Sequence, residues 1–365
     1  MKICNGVYQL KIYFYVTPEI ERYVYVYILT GKYCYLIDTG IHGSEKLIED
    51  YLHQLGYQIE DIHGIFLTHA HPDHMGSAYA LQKRSGCPIY ASYLEKEWFE
   101  NVDKQFADRP IPRFYHLLQN SVHVDMAIER ETEIMLEDYL SMKIILTPGH
   151  SHGSLSFLFN YQILFTGDAI PVVGDIPIYT HVYQTLKTLN TLLNIQSIDY
   201  YCPAWDVVYQ QEMGKEKIRD AIHLIESIDE CVQRMINDYP SISYDRLFEL
   251  VCYQMKMEVF KQNPLFKKTI LSHIYILDFH IQNYQTVFSV VFFIIVHLNR
   301  KIICELIPLI LWYADVYFFR TTSAVISLSV NSLLQGIHII HTIFIDKHCQ
   351  APTYNRNTQC SYTRK

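Results

Sequence analysis

Nine residues constrain this chain more than any others: Thr68-His69-Ala70-His71-Pro72-Asp73-His74-Met75-Gly76. Four side chains able to bind a metal fall within six residues, directly after the apolar run Ile65-Phe66-Leu67. That run reads as the end of a buried strand. A strand that stops at imidazoles and a carboxylate puts them on one tight loop, where they can converge without straining a regular element. Imidazole nitrogen and carboxylate oxygen together suit zinc and other borderline divalent metals. The competing reading is a surface loop that happens to be His-rich. It is weakened by a second supply of ligand-type residues, His150 and Asp168, which also follow apolar strands.

At 365 residues, half of them hydrophobic and 19% charged, the chain has room for one large domain and an appendage. Nine cysteines without a Cys-x-x-Cys pair favour a reducing compartment. Met1-Lys2-Ile3-Cys4-Asn5-Gly6 shows no basic segment followed by an apolar one, so no secretory signal is expected and the expected location is the cytoplasm. Charge is uneven. Residues 276–365 hold seven Lys/Arg against four Asp/Glu, and the rest holds 23 against 34. An acidic body argues against nucleic acid as the main partner, because phosphate binding depends on clustered Lys and Arg.

The chain alternates strand and helix patterns as an α/β layer does. Residues 7–37 read as strands, with Thr30-Gly31-Lys32 a hairpin break. Ser44 and Gly56 bracket a helix whose inward face is Leu47, Ile48, Tyr51, Leu52 and Leu55. Trp98, Phe99, Phe106, Phe114, Tyr115 and Leu117 sit in a less regular stretch that either lines the pocket or packs on the outer layer. Leu155–Phe159 and Ile163–Phe165 flank Asn160-Tyr161 as a hairpin without the usual glycine. From Glu212 long helical periodicity takes over, with a second helix expected over Tyr244–Phe260 and a last short one to about Ile274. The expected division is therefore 1–210 for the catalytic domain, 211–275 for a helical extension and 276–365 for a hydrophobic tail. Three readings of the tail stay open: a weak membrane hairpin, an added packing module, or a non-native extension past a shifted reading frame. Membrane association is expected only through it.

The metal loop resembles that of the metallo-β-lactamase fold, Thr-His-x-His-x-Asp-His. Leu36-Ile37-Asp38-Thr39-Gly40 is similar to that family's first motif. Thr147-Pro148-Gly149-His150-Ser151-His152-Gly153 is similar to its third, and Phe165-Thr166-Gly167-Asp168 to its fourth. The resemblance spans about residues 1–275 and stands closer to glyoxalase II-like hydrolases than to antibiotic-degrading enzymes. It implies an αββα sandwich followed by a small helical region. It also implies that His69, His71 and His150 hold a first metal ion, that Asp73 and His74 bind a second, and that Asp168 bridges the two. Asp38 is implied to orient ligands without binding metal, against the alternative that it only caps its turn. His63 reads as a surface or packing histidine, and His152 matches no ligand position.

One motif departs from the family. Pro203-Ala204-Trp205-Asp206 stands where the resemblance leads one to expect Pro-x-His-Gly. Indole offers only a donor, so Trp205 cannot ligate. Asp206 is the nearest replacement ligand, and the alternative is that it is an ordinary turn residue. The implied cofactor is zinc, as two ions, with iron or manganese open for the more oxygen-rich second site. The implied chemistry is hydrolysis of a thioester, ester or phosphoester of a small molecule by a metal-bound hydroxide, with Asp73 as the catalytic carboxylate. Two alternatives remain: an iron-dependent oxygenase similar to the persulfide-oxidising branch, and a metal-binding scaffold without turnover. Nothing in the sequence indicates an oligomeric state.

Overall fold

The structure is a computed structural model and describes residues 1–274; the three readings of 276–365 lie outside the described residues. The Tyr-, Val- and Ile-rich runs form seven strands that pair in chain order: β1 (Lys2–Cys4), β2 (Val7–Thr17), β3 (Ile20–Thr30), β4 (Cys34–Ile37), β5 (Ile62–Phe66), β6 (Ile89–Ser92) and β7 (Met126–Ile128). β1 to β4 pair antiparallel through short turns, and β4 to β7 pair parallel. Parallel neighbours need a crossover, and helical segments supply each one. A second sheet follows: β8 (Thr132–Glu137), β9 (Leu140–Leu146), β10 (Leu155–Phe159), β11 (Ile163–Gly167), β12 (Tyr200–Pro203) and β13 (Tyr209–Gln210). Its spatial order is β13-β12-β11-β10-β9-β8. Asn160 and Tyr161 both adopt positive φ, so the glycine-free β10–β11 turn is made with two left-handed non-glycine residues.

The sheets pack face to face. Tyr27, Leu29, Ile37 and Phe66 from the first meet Ile144, Phe157, Phe159 and Phe165 from the second, all buried. Phe66 meets Phe157 edge-on at 5.5 Å, and each such fully buried ring contributes about 1.5–3 kcal/mol. Helices cover the outer faces. Ile48, Leu52, Ala78 and Leu81 lie on the first sheet, and Leu189, Leu192, Ile218 and Ile225 on the second. This is the expected αββα arrangement. A further cluster joins the 28-residue helix Gln211–Asp238 to Tyr244–Gln254 and to helical residues 264–274, through Val232, Met235, Phe248, Val251, Phe266 and Ile270.

Two expectations need correction, and one open alternative is decided. In the helix Glu45–Leu55 Ile48 and Leu52 are buried and Tyr51 and Leu55 pack half-buried beside them, but Leu47 is 51% exposed, because it lies one position round the helix from that i, i+3, i+4, i+7 stripe. The helix from Tyr244 stops at Gln254, and a separate turn of 3-10 helix, Glu258–Phe260, follows Lys256, which has positive φ. The aromatic stretch after β6 forms three short helices, Lys96–Glu100, Val102–Asp108 and Phe114–Leu117. Their Phe99, Phe114 and Leu117 pack into the outer core of the first sheet.

Candidate metal centre

The loop after β5 enters the molecule because its backbone is claimed from both sides. Thr68 N donates to Asp38 Oδ1 at 2.8 Å, and the Thr68 carbonyl accepts from Leu155 N of β10 at 2.8 Å, tying the two sheets together. The carbonyl of His74 accepts from Thr39 N at 2.7 Å and from Thr39 Oγ1 at 2.9 Å. Asp38 itself sits at φ 60°, in the left-handed region where Asp is tolerated because its side chain hydrogen-bonds locally. Every residue from Thr68 to Ala78 is buried.

His69, His74 and His150 are each held by one ring nitrogen, which leaves the other to face the centre. The proton of Thr68 Oγ1 goes to Asp38, 2.8 Å away, so that hydroxyl accepts from His69 Nδ1 at 2.9 Å. His150 Nδ1 donates to the carbonyl of Ile178 at 2.8 Å. His74 Nδ1 donates to Asp38 Oδ2 at 2.8 Å. The orienting role implied for Asp38 has its geometry here. The free nitrogens then crowd together. His71 Nδ1 lies 2.8 Å from His69 Nε2 and 3.0 Å from His150 Nε2. With the Nδ1 protons of His69 and His150 already assigned, two of these three nitrogens are lone pairs. A single proton on His71 can serve only one of them.

Asp168, at the end of β11, completes the convergence. Its Oδ2 lies 3.3 Å from His74 Nε2, 3.3 Å from His150 Nε2 and 3.8 Å from His69 Nε2. The candidate ligand atoms of His69, His71 and His150 lie within 4.8 Å of one another, and so do those of His69, His74 and Asp168. Asp73 sits next to them, with Oδ2 3.7 Å from His74 Nε2, but belongs to neither group. Among the described residues His74 Nε2 and Asp168 Oδ1 are buried without a hydrogen-bond partner. Inward-facing lone pairs and two orphaned polar atoms are what a bound cation would satisfy, so the donor set fits a metal.

The electrostatics of the three-imidazole group agree, while His74 keeps its proton until a cation displaces it. Burial pushes the His69 and His71 pKa values well below the ordinary imidazole range, and neighbouring imidazolium charge and Arg109 push the same way. Burial also lowers His150, against the opposing pull of Asp168. All three are therefore neutral and ready to donate lone pairs. Burial opposes charge on His74 as well, but Asp168, Asp38 and Asp73 outweigh it and hold its pKa well above the usual value. Burial raises the Asp73 carboxyl. Asp168 is held low, because His74 and His150 overcome its burial.

The structure does not bring Asp206 to this centre. Its Oδ1 accepts from Val207 N at 2.8 Å and its Oδ2 from the Tyr209 hydroxyl, so the carboxylate closes its own turn. Trp205 packs partly buried against the outer core of the first sheet, with its indole Nε1 buried and unpartnered. His63 is exposed and stacks on Tyr33 at 3.5 Å, and His152 is exposed.

Three residues at the centre carried no sequence signal. Glu95, 4% exposed, accepts from Ala70 N at 2.8 Å and from Gly153 N at 2.9 Å, cross-bracing the two histidine loops. It lies in Leu94-Glu95-Lys96-Glu97, which reads as an ordinary charged helix start. Gly153 must stay side-chain-free, since a Cβ there would meet Ser92 Oγ at 2.5 Å and Glu95 Cγ at 2.8 Å. Ile178 offers only its carbonyl. Its neighbour Tyr179 exchanges hydrogen bonds with Thr269, N to Oγ1 at 3.1 Å and Oγ1 to carbonyl at 2.9 Å. The Tyr179 hydroxyl lies 2.8 Å from His273 Nε2, whose Nδ1 is 2.9 Å from Asp229. The third residue is Arg109, directly after the helix Val102–Asp108.

Known proteins match this arrangement. The Metallo-beta-lactamase superfamily model matches residues 20–203, just over half of the chain. A probable metallo-hydrolase of Methanocaldococcus jannaschii is 29% identical over 48% of this chain and 84% of its own length. The hydroxyacylglutathione hydrolase GloC of Haemophilus influenzae is 31% identical over 37% of this chain, which spans 60% of that enzyme. Among solved structures, a metallo-beta-lactamase family protein from Thermus thermophilus shares the fold, with TM-score 0.60 at 16% identity over 76% of this chain and 95% of its own. Strand order, the inward His and Asp loops and the family match together place the chain in the metallo-beta-lactamase superfamily, as one of its hydrolases.

Proposed function

We propose that the chain cleaves a thioester, ester or phosphoester of a small molecule at a two-ion centre, in the manner of the glyoxalase II-like branch. In this reading His69, His71 and His150 hold one ion, His74 and Asp73 hold the second, and Asp168 stands between them. Zinc suits the three-imidazole side, and the carboxylate-rich side also accepts manganese or iron. The observation that carries the reading is the pair of orphaned atoms, His74 Nε2 and Asp168 Oδ1, buried beside three inward-facing imidazole nitrogens. The hydroxyacylglutathione hydrolase among the relatives supports the thioester option.

Bound ions supply a nucleophilic hydroxide at neutral pH and polarise the scissile carbonyl or phosphoryl group. The chain's own residues do the rest. Asp38 and the Ile178 carbonyl fix the ring orientation of His74 and His150 by holding their Nδ1 protons. Glu95 keeps the two histidine loops at a fixed separation. Asp73, whose carboxyl burial raises, is placed to take or return a proton beside His74. With Asp206 turned away, the chain would offer a second ion fewer ligands than the first.

Metal counting on the purified protein and a panel of thioester, ester and phosphodiester substrates test the reading. Two ions per chain, or one tight and one weak, with turnover of at least one class is the expected result. Iron with dioxygen uptake would favour the oxygenase alternative, and tight zinc with no turnover the scaffold.

A further inference from the structure

Arg109 ends the helix Val102–Asp108, and that helix is fastened to the metal loop. The buried Gln105 side chain donates to the carbonyl of Ala70, between His69 and His71. Arg109 N donates to the Gln105 carbonyl at 2.9 Å, which sets the next residue one turn further along. Pro110 then directs the chain away from helix. Asp108, the nearest acid in sequence, is already taken by Trp98 Nε1 at 2.9 Å and Lys104 Nζ at 2.7 Å. Arg109 is half-buried, and the charges that bear on it are Asp73, Glu95 and Asp168 of the centre.

Among the described residues the guanidinium forms no hydrogen bond and no ion pair. Glu95 spends both oxygens on backbone N–H groups, and Asp168 Oδ2 faces the imidazoles. The guanidinium is thus half-buried with its five donors free of protein partners and open to a ligand from solvent. A cation beside a centre that collects cations is repelled unless an anion lies between them. The planar fork of arginine matches a carboxylate or a phosphate in two-point contact.

We propose that Arg109 anchors an anionic group of the substrate, a carboxylate or a phosphate, while the scissile bond lies over the histidine cluster. Arg109 thus selects substrates bearing such a group, at the site the hydrolase reading assigns, and on that reading the proposal rests. The test compares metal-loaded wild type, Arg109→Lys and Arg109→Gln on 4-nitrophenyl acetate and 4-nitrophenyl succinate, a neutral and an anionic ester with the same leaving group. Arg109→Gln is expected to raise the ratio of the succinate KM to the acetate KM by about tenfold to a hundredfold, the span of a charge-assisted contact, without loss of metal. Arg109→Lys keeps the charge and loses the fork, so it should fall between.

Calorimetric titration of the same proteins with inorganic phosphate and with acetate needs no turnover. A wild type that binds either anion at least tenfold more tightly than Arg109→Gln supports the anchor even if no ester is cleaved, in which case the hydrolase reading alone fails. The anion with the larger loss names the preferred group. Equal losses on both esters, lost metal, or unchanged affinity for both anions would overturn the assignment and leave Arg109 a structural cap.

Discussion

Two loops leave strand ends on the same side of the sandwich, and only one delivers ligands. Residues 68–76 follow β5, and 204–208 follow β12. Both are pinned by their backbones. In the first, Thr39 and Asp38 claim His74 and Thr68. In the second, Tyr25 N donates to the Ala204 carbonyl at 2.8 Å and Ala204 N to Gly167 at 3.0 Å. The side chains differ. In the first loop they are buried, and Asp38, just past β4, orients His74 directly and His69 through the Thr68 hydroxyl. In the second, the carboxylate of Asp206 is consumed by its own turn, and Val207 is 55% exposed. A strand end thus supplies ligands where the loop is buried and a carboxylate from outside it, here Asp38, fixes the rings. A short polar residue without such a holder bonds to the nearest backbone N–H.

The comparison breaks most visibly at the first loop's own imidazoles. His71→Ala or His69→Ala should abolish both metal content and activity, read by plasma mass spectrometry, because each nitrogen has no substitute nearby. Asp168→Ala should do the same, since its carboxylate lies 3.3 Å from both His74 Nε2 and His150 Nε2. Removing the holder instead of the ligand is the next largest effect. Asp38→Ala should weaken metal binding about tenfold to a hundredfold in a chelator competition, the usual consequence of losing a carboxylate that orients a ligand histidine. Unchanged affinity would mean the loop holds its shape without outside help.

Smaller again is the brace between loops. Glu95→Gln keeps the shape but sets an amide N–H₂ against a backbone N–H, and should cost about 1–3 kcal/mol in urea unfolding. Least of all, Asp206→Ala should leave the number of bound ions as it is and change stability by about 1 kcal/mol or less. Loss of one ion from that variant would show the second loop does reach the centre and would erase the contrast.

Much of this was legible in the sequence because the decisive donors are local. His69, His71 and His74 share one loop, and apolar runs before His150 and Asp168 announce strand ends. Spacing, however, does not record direction. Asp206 stands close enough in sequence to be nominated, but its proximity to Val207 N and Tyr209 is a matter of turn geometry. Leu47 borders the helical stripe yet lies one position round the helix from it. Glu95 and Arg109 are brought in by tertiary docking of short helices, which leave no periodic trace. Ile178 contributes a carbonyl, which any residue type carries.

The bonds around Tyr179 bear on where this chain can be divided. Every candidate ligand precedes residue 170, so a fragment ending near 210 would retain the full set. It would still lack Thr269, His273 and Asp229, the groups that hold the backbone carrying the Ile178 carbonyl. The helices after β13 are therefore wrongly pictured as an appendix to a finished enzyme. For anyone grafting this fold, transplanting it or searching for its minimal form, the unit of inheritance is the sandwich together with the helix over residues 264–274, since a distant hydroxyl sets the direction in which His150 faces.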